Sequence, residues 1–193
     1  DESCRGPDFA DPPPMEWLVT DEIENEVAND VARAQTQTVL QQLNGGIRSF
    51  DLRVTQRRGV FLVYHGLLGK PLATVLQDIR TFMEQSGQEF VVVGVSHLQT
   101  GNNDANDQPF SPELHRLLMQ QLVDPLGPYL YPRNGRSQAD LRATTLGQVV
   151  ADGPKVLLIY GDDYFWKCEA GVCDFGAARN DPHFERFWHL GYT

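Results

Sequence analysis

Asp51, Arg53 and His65 are the residues of this chain best placed to do acid–base or phosphate chemistry. Asp51 and Arg53 stand two apart in the run 47–54, which reads as a strand. On a strand successive side chains alternate faces, so Ser49, Asp51 and Arg53 share one face and Phe50, Leu52 and Val54 the other. A carboxylate and a guanidinium so placed form a charge-assisted pair or grip one anion together. A second apolar run, 60–64, ends in His65 and Gly66. Ser96 and His97 close a later apolar run, and Tyr160, Asp162 and Asp163 follow the next. Each motif also has an ordinary structural use: Asp-x-Arg as an ion pair, His-Gly as a turn capped by imidazole.

Those residues need a scaffold, and the hydrophobic pattern supplies one. Residues 47–54 and 60–64 read as two strands joined by a polar, basic turn at 55–59. A helix is expected over 31–44, ended by Gly45 and Gly46. The clearest helix is 71–86, with Leu72, Val75, Leu76, Ile79, Phe82 and Met83 at helical spacing, Pro71 in the first turn and Gly87 after the stop. The Val-rich run 90–95 has the pattern of a parallel strand buried on both faces. Residues 100–108 read as a loop. Ser111 caps a further helix with Pro112 at its first position and a stripe of Leu114, Leu117, Leu118 and Leu122. Residues 129–143 read as a polar connection, Thr145 to Gln148 has capping-box spacing, and 155–160 is the next strand. His115 is expected on the surface, and Phe165, Trp166 and Trp188 in the core.

The 193 residues, 41% hydrophobic, suit a single domain over 1–193, with an irregular arm at 1–15 and an aromatic tail at 161–193. The net charge of −10 argues against non-specific nucleic-acid binding and against strong docking on anionic membranes. Arg48, Arg53, Arg57 and Arg58 form a local basic cluster in the sequence. No run approaches the roughly 20 apolar residues of a membrane span. No Cys/His spacing suits zinc. Cys168 and Cys173 bracket four residues, a loop that a disulfide closes in an oxidising compartment; in a reducing one, both and Cys4 stay thiols. That pair, with a first residue other than Met, leads to the expectation of a secreted or extracytoplasmic protein.

The stretch 43–69 resembles the catalytic X-domain of phosphatidylinositol-specific phospholipase C. The shared pattern is Gly-Ile-Arg-x-Phe-Asp-x-Arg at 46–53, a strand ending in His65-Gly66, a helix, and an apolar strand over 90–97, in that order. The resemblance implies an α/β fold, a TIM-type (β/α) barrel. A full barrel takes about 250 residues, and only about five strands are legible here, so an incomplete or reduced barrel is expected. It implies intramolecular attack of an inositol 2-hydroxyl on phosphorus, one histidine taking the proton and another protonating the leaving oxygen. His65 matches the second histidine. Where the family has the first, in Thr-His-Asp, this chain has Thr20-Asp21-Glu22, and no histidine precedes His65. Asp21 or Glu22 is therefore the candidate base. Arg53 stands where calcium-dependent members carry metal-binding acids, which implies the metal-independent kind, with no cofactor and calcium not favoured.

The expected function is cleavage of phosphatidylinositol or a related phosphodiester, with Asp51, Arg53, His65, Asp21 and Glu22 as catalytic candidates. Ser96, His97, Tyr160 and Asp162 are the candidates on the substrate side. His183 and His189 contribute only if the tail folds over the barrel mouth. The expected partners are a phosphoinositide and, transiently, a membrane surface. The alternative is an impaired barrel that binds phosphate without turnover, because the first histidine is missing. Glycerophosphodiesterases rank third, since their His-Arg-Gly start is absent.

Overall fold

A computed structural model describes residues 36–65, 67–100, 108–161 and 186–188. The arm at 1–15, the Thr20-Asp21-Glu22 stretch, the Cys168 and Cys173 pair and most of the tail lie outside the described residues. Chain order gives α1 (Val39–Asn44), β1 (Ser49–Arg57), β2 (Val60–His65), β3 (Leu67–Pro71), α2 (Leu72–Gln85), β4 (Phe90–Gln99) and α3 (Pro112–Leu126). A 3-10 turn (Gly127–Tyr129), α4 (Gln138–Ala143), α5 (Leu146–Val149) and β5 (Lys155–Tyr160) follow.

The strands form one mixed sheet in the order β3-β2-β1-β4-β5. β1, β4 and β5 are parallel, while β2 and β3 run antiparallel beside β1. Past β5, Leu130 bridges Val156 and Trp188 bridges Ile159, both in parallel sense. The described residues therefore give a mixed α/β sheet of five strands, not a closed barrel.

The helices pack on one face of this sheet. Leu52, Val54, Val91, Val93, Val95, Val156, Leu158 and Tyr160 meet the buried stripes of α2 and α3 there. The stripe of α2 is the one the sequence predicts, Leu72 to Met83. Each fully buried aliphatic side chain of this kind contributes about 1.5–3 kcal/mol. Phe61, Phe110, His115, Tyr160 and Phe187 run through the core as a chain of ring contacts, with centroids 5.4–5.9 Å apart.

Several expectations change. Within the described part of 31–44 the helix begins only at Val39, because Thr38 is extended and closes a capping box with Gln41. β1 runs on to Arg57, and the turn is only Arg58 and Gly59, both with positive φ as a tight hairpin requires. β3 was not expected, nor α4, whose capping box joins Ser137 and Asp140. β4 is not buried on both faces; its burial alternates, with Val91, Val93 and Val95 inward and Val92, Gly94 and Ser96 half-buried. α3 turns Leu117 outward and buries His115, Met119, Val123 and Leu126 with Leu118 and Leu122. Ser111 caps it as expected, its Oγ accepting from the Leu114 N–H, and Trp188 is buried as expected.

Candidate active site

The parallel strands β1, β4 and β5 end along one edge of the sheet. On the face away from the helices, alternation puts Ser49, Asp51 and Arg53 of β1 beside Val92, Gly94 and Ser96 of β4, with which they pair in register. Ser96 Oγ donates to Asp51 Oδ1 at 3.0 Å. The same Oγ lies 3.0 Å from Nδ1 of His97. Arg53, opposite Ser96, is half-buried, and its buried Nε–H finds no acceptor among the described residues. A buried donor without an acceptor is costly, and an anion bound on this face would satisfy it.

His97 reaches this face through a local irregularity. Arg53 pairs with Ser96, but Thr55 pairs with Gln99, so β4 spends one residue more than β1 over the same interval. His97 carries the extra turn with φ of 52°, a left-handed conformation that costs a non-glycine residue about 1–2 kcal/mol. Leu98 then takes the core position that regular alternation would give residue 97, and His97 stays exposed. Bulges of this kind re-aim side chains. The His97 carbonyl accepts a hydrogen bond from the hydroxyl of buried Tyr64 at 2.8 Å, which spans the intervening β1. Gly161 closes the edge beside Ser96: its N–H donates to the Val95 carbonyl at 2.8 Å, and a Cβ there would stand 3.5 Å from Ser96 Cβ.

Of the sequence candidates, Asp51, Arg53, Ser96 and His97 come together. His65 ends β2, exposed. The pairing of Val63 with Val54 makes Tyr64 the neighbour of Arg53 and sends His65 to the face of Phe61 and Val63. Among the described residues it makes no hydrogen bond to Asp51, Arg53 or Ser96. Tyr160 is no part of this site: it is fully buried on the helix face, its hydroxyl 2.7 Å from His115 Nδ1. The correction for Tyr160 carries one for His115, which is buried, not on the surface. Burial pushes the His115 pKa down to about 4. Asp21, Glu22, Asp162, His183 and His189 lie outside the described residues.

The basic cluster is not a cluster in space. Arg48 stands at the start of β1 with Glu89, 2.8 Å from Nε to Oε2, and Arg57 and Arg58 lie at the far hairpin. Tyr64 was missed by sequence reasoning, because its place on the Arg53 face depends on the hairpin register that pairs Val54 with Val63. Among the described residues, no three His, Cys, Asp or Glu side chains are grouped to hold a metal ion.

No family model matches the chain. A PI-PLC X-box domain-containing protein of Dictyostelium discoideum is 26% identical over 157 residues, 81% of this chain and 19% of that protein. Variant-surface-glycoprotein phospholipase C of Trypanosoma cruzi is 35% identical over 91 residues, 45% of this chain and 24% of that protein. The chain thus spans about a fifth to a quarter of the curated relatives it matches. Among solved structures, a Staphylococcus aureus phosphatidylinositol-specific phospholipase C aligns at 20% identity and TM-score 0.48, over 69% of this chain and 42% of that one. The Listeria monocytogenes enzyme aligns at 23% and 0.47, over 77% and 46%. The similarity of this chain to phosphatidylinositol-specific phospholipase C X-domain proteins is therefore carried by its motifs and by its curated relatives.

Proposed function

We propose that this relative of the phosphatidylinositol-specific phospholipase C X-domain proteins cleaves phosphatidylinositol or a related phosphodiester. The observation that carries the reading is Arg53: a half-buried guanidinium with an unsatisfied Nε–H, beside Asp51 bonded to Ser96, at the C-terminal edge of parallel strands. Ligands bind at that edge in parallel α/β folds. Arg53 would hold a non-bridging phosphate oxygen and offset the charge that develops on it, without calcium. The motif offers His65 as a general acid, but strand alternation turns it away from Arg53, so water is the proton source for the leaving oxygen. Asp21 and Glu22 remain the carboxylate candidates for the base, and a carboxylate of ordinary pKa, near 4, is a weak one at neutral pH.

A second reading, a module that binds inositol phosphate without turnover, is favoured by one observation. His65 belongs by strand alternation to the opposite face from Arg53.

Turnover of a soluble fluorogenic myo-inositol phosphodiester, with and without EDTA, decides between them. The diesterase reading expects chelator-insensitive cleavage that falls by roughly 10²–10³ in kcat when Arg53 is replaced by Ala. Arg53→Lys should recover only part, since an ammonium lacks the guanidinium fork. Loss of cleavage on adding EDTA would remove Arg53 from the role assigned to it. Binding of inositol phosphate without cleavage would leave the second reading.

A further inference from the structure

We propose that His97 is the general base of this site, its Nε2 receiving the proton of the attacking hydroxyl; the proposal rests on the diesterase reading above. A serine hydroxyl has one hydrogen, and Ser96 gives it to Asp51 Oδ1. Ser96 Oγ can therefore meet the His97 ring only as an acceptor, so Nδ1 must carry a proton. The neutral ring then holds its lone pair on Nε2, the nitrogen that makes no part of the relay. When Nε2 takes up a proton, Nδ1–H still donates to Ser96, and the Asp51 carboxylate behind Ser96 stabilises the imidazolium. Nothing in the relay has to rearrange during proton transfer. The same count argues against Ser96 as a nucleophile, since its hydrogen is directed to Asp51 and not to an imidazole lone pair.

Three further observations fit a functional ring better than an incidental surface contact. The backbone adopts a left-handed φ at residue 97 and displaces it from the core register, which Leu98 fills. The Tyr64 hydroxyl fixes the His97 carbonyl, so the turn is held from behind as the ring is held from the side. The adjacent Ser96, whose Oγ meets the ring, is in register with Arg53, so the base is held by the cross-strand neighbour of the arginine, and the ring is exposed to a ligand. In the step itself, the hydroxyl O–H breaks and its proton goes to Nε2. The oxygen forms a bond to phosphorus, and the P–O bond to the leaving alcohol breaks. That oxygen takes a proton from water, giving a cyclic phosphodiester and an alcohol. The imidazolium returns its proton to solvent.

The test pairs a spectrum with kinetics. Long-range ¹H–¹⁵N correlation of the wild-type chain should show the neutral His97 ring protonated at Nδ1, and Ser96→Ala should abolish that preference. His97→Gly, chosen because glycine accepts positive φ, should keep the wild-type circular dichroism. On the soluble inositol diester its kcat should drop by roughly 10²–10⁴ with KM little changed, and added imidazole should restore part of the loss. His97→Asn, which also tolerates the left-handed backbone, should show the same drop and no rescue by imidazole. Wild-type kcat in both variants, or a ring protonated at Nε2, overturns the role of His97 while leaving the diesterase reading intact. No turnover by the wild-type chain overturns the diesterase reading and, with it, the base.

Discussion

His115 should make this fold acid-labile well above the range where carboxylates titrate. The ring is fully buried, 2.7 Å from the Tyr160 hydroxyl and edge-on to Phe110 at 5.9 Å. Burial lowers its pKa from 6.5 to about 4, and a weaker interaction with the Phe110 backbone pulls the other way. Above pH 6.5 the imidazole is neutral in both states and contributes nothing to the pH dependence. As pH falls below that value the unfolded chain takes up a proton that the folded chain refuses. The unfolded state then binds more protons, so stability falls with pH, by about 1.4 kcal/mol per pH unit. The loss is complete near pH 4, at about 3 kcal/mol. By about pH 5 some 2 kcal/mol should be gone while carboxylates are still ionised in both states. Urea unfolding followed at neutral pH and near pH 5 measures it. The control is the double variant His115→Phe with Tyr160→Phe, which removes both polar partners and leaves neither unsatisfied. Its stability should be nearly flat over that interval. Parallel pH curves for wild type and double variant would refute the assignment of the loss to this ring.

Two other substitutions test how the site is held. A Cβ on Gly69 would stand 2.8 Å from the Val63 carbonyl oxygen, which is backbone and cannot turn aside. Gly69→Ala should therefore force β3 away from β2 and cost about 1–3 kcal/mol, read as a lower urea midpoint at unchanged slope; an unchanged midpoint would mean that β3 does not pair as described. Arg48 bonds Glu89 through two nitrogens, donates to the Ile47 carbonyl and lies 4.6 Å over the Phe82 ring, and its bond holds the Glu89 carboxyl below the usual range. Arg48→Met should cost about 1–2 kcal/mol and leave kcat/KM on the soluble diester near wild type, whereas a selective loss of activity would return Arg48 to the site.

Local signals were legible and long-range ones were not. The stripe of α2 and the cap of α3 depend on residues within a few positions of one another, so period and capping rules find them. β3 contains Gly69, Lys70 and Pro71 and has no alternation of its own; it exists because β2 offers it a free edge, and Pro71 is tolerated there at a strand end. His115 escaped because a stripe counted in leucines excludes histidine, and its partner Tyr160 lies 45 residues away. Tyr160 itself could have been placed. It has the parity of Val156 and Leu158, which point into the core, so its position at a strand end gave the wrong lead.

The candidate site turns on the same distinction between residue identity and face. A motif names His65, but a strand delivers its side chains to alternate faces, and a shift of one residue exchanges them all. The pairing of Val54 with Val63 decides that Tyr64, not His65, stands beside Arg53. That pairing is a property of the hairpin and its two-residue turn, and the motif does not contain it. On β4 the opposite happens. Regular alternation would bury residue 97, and one left-handed backbone angle brings His97 back to Ser96 and Asp51. The histidine that sequence similarity selects and the histidine that the geometry brings to Ser96, the cross-strand partner of Arg53, are therefore different residues. No histidine precedes His65 in the sequence, yet an imidazole on the strand beside Arg53 is hydrogen-bonded to a serine–aspartate pair.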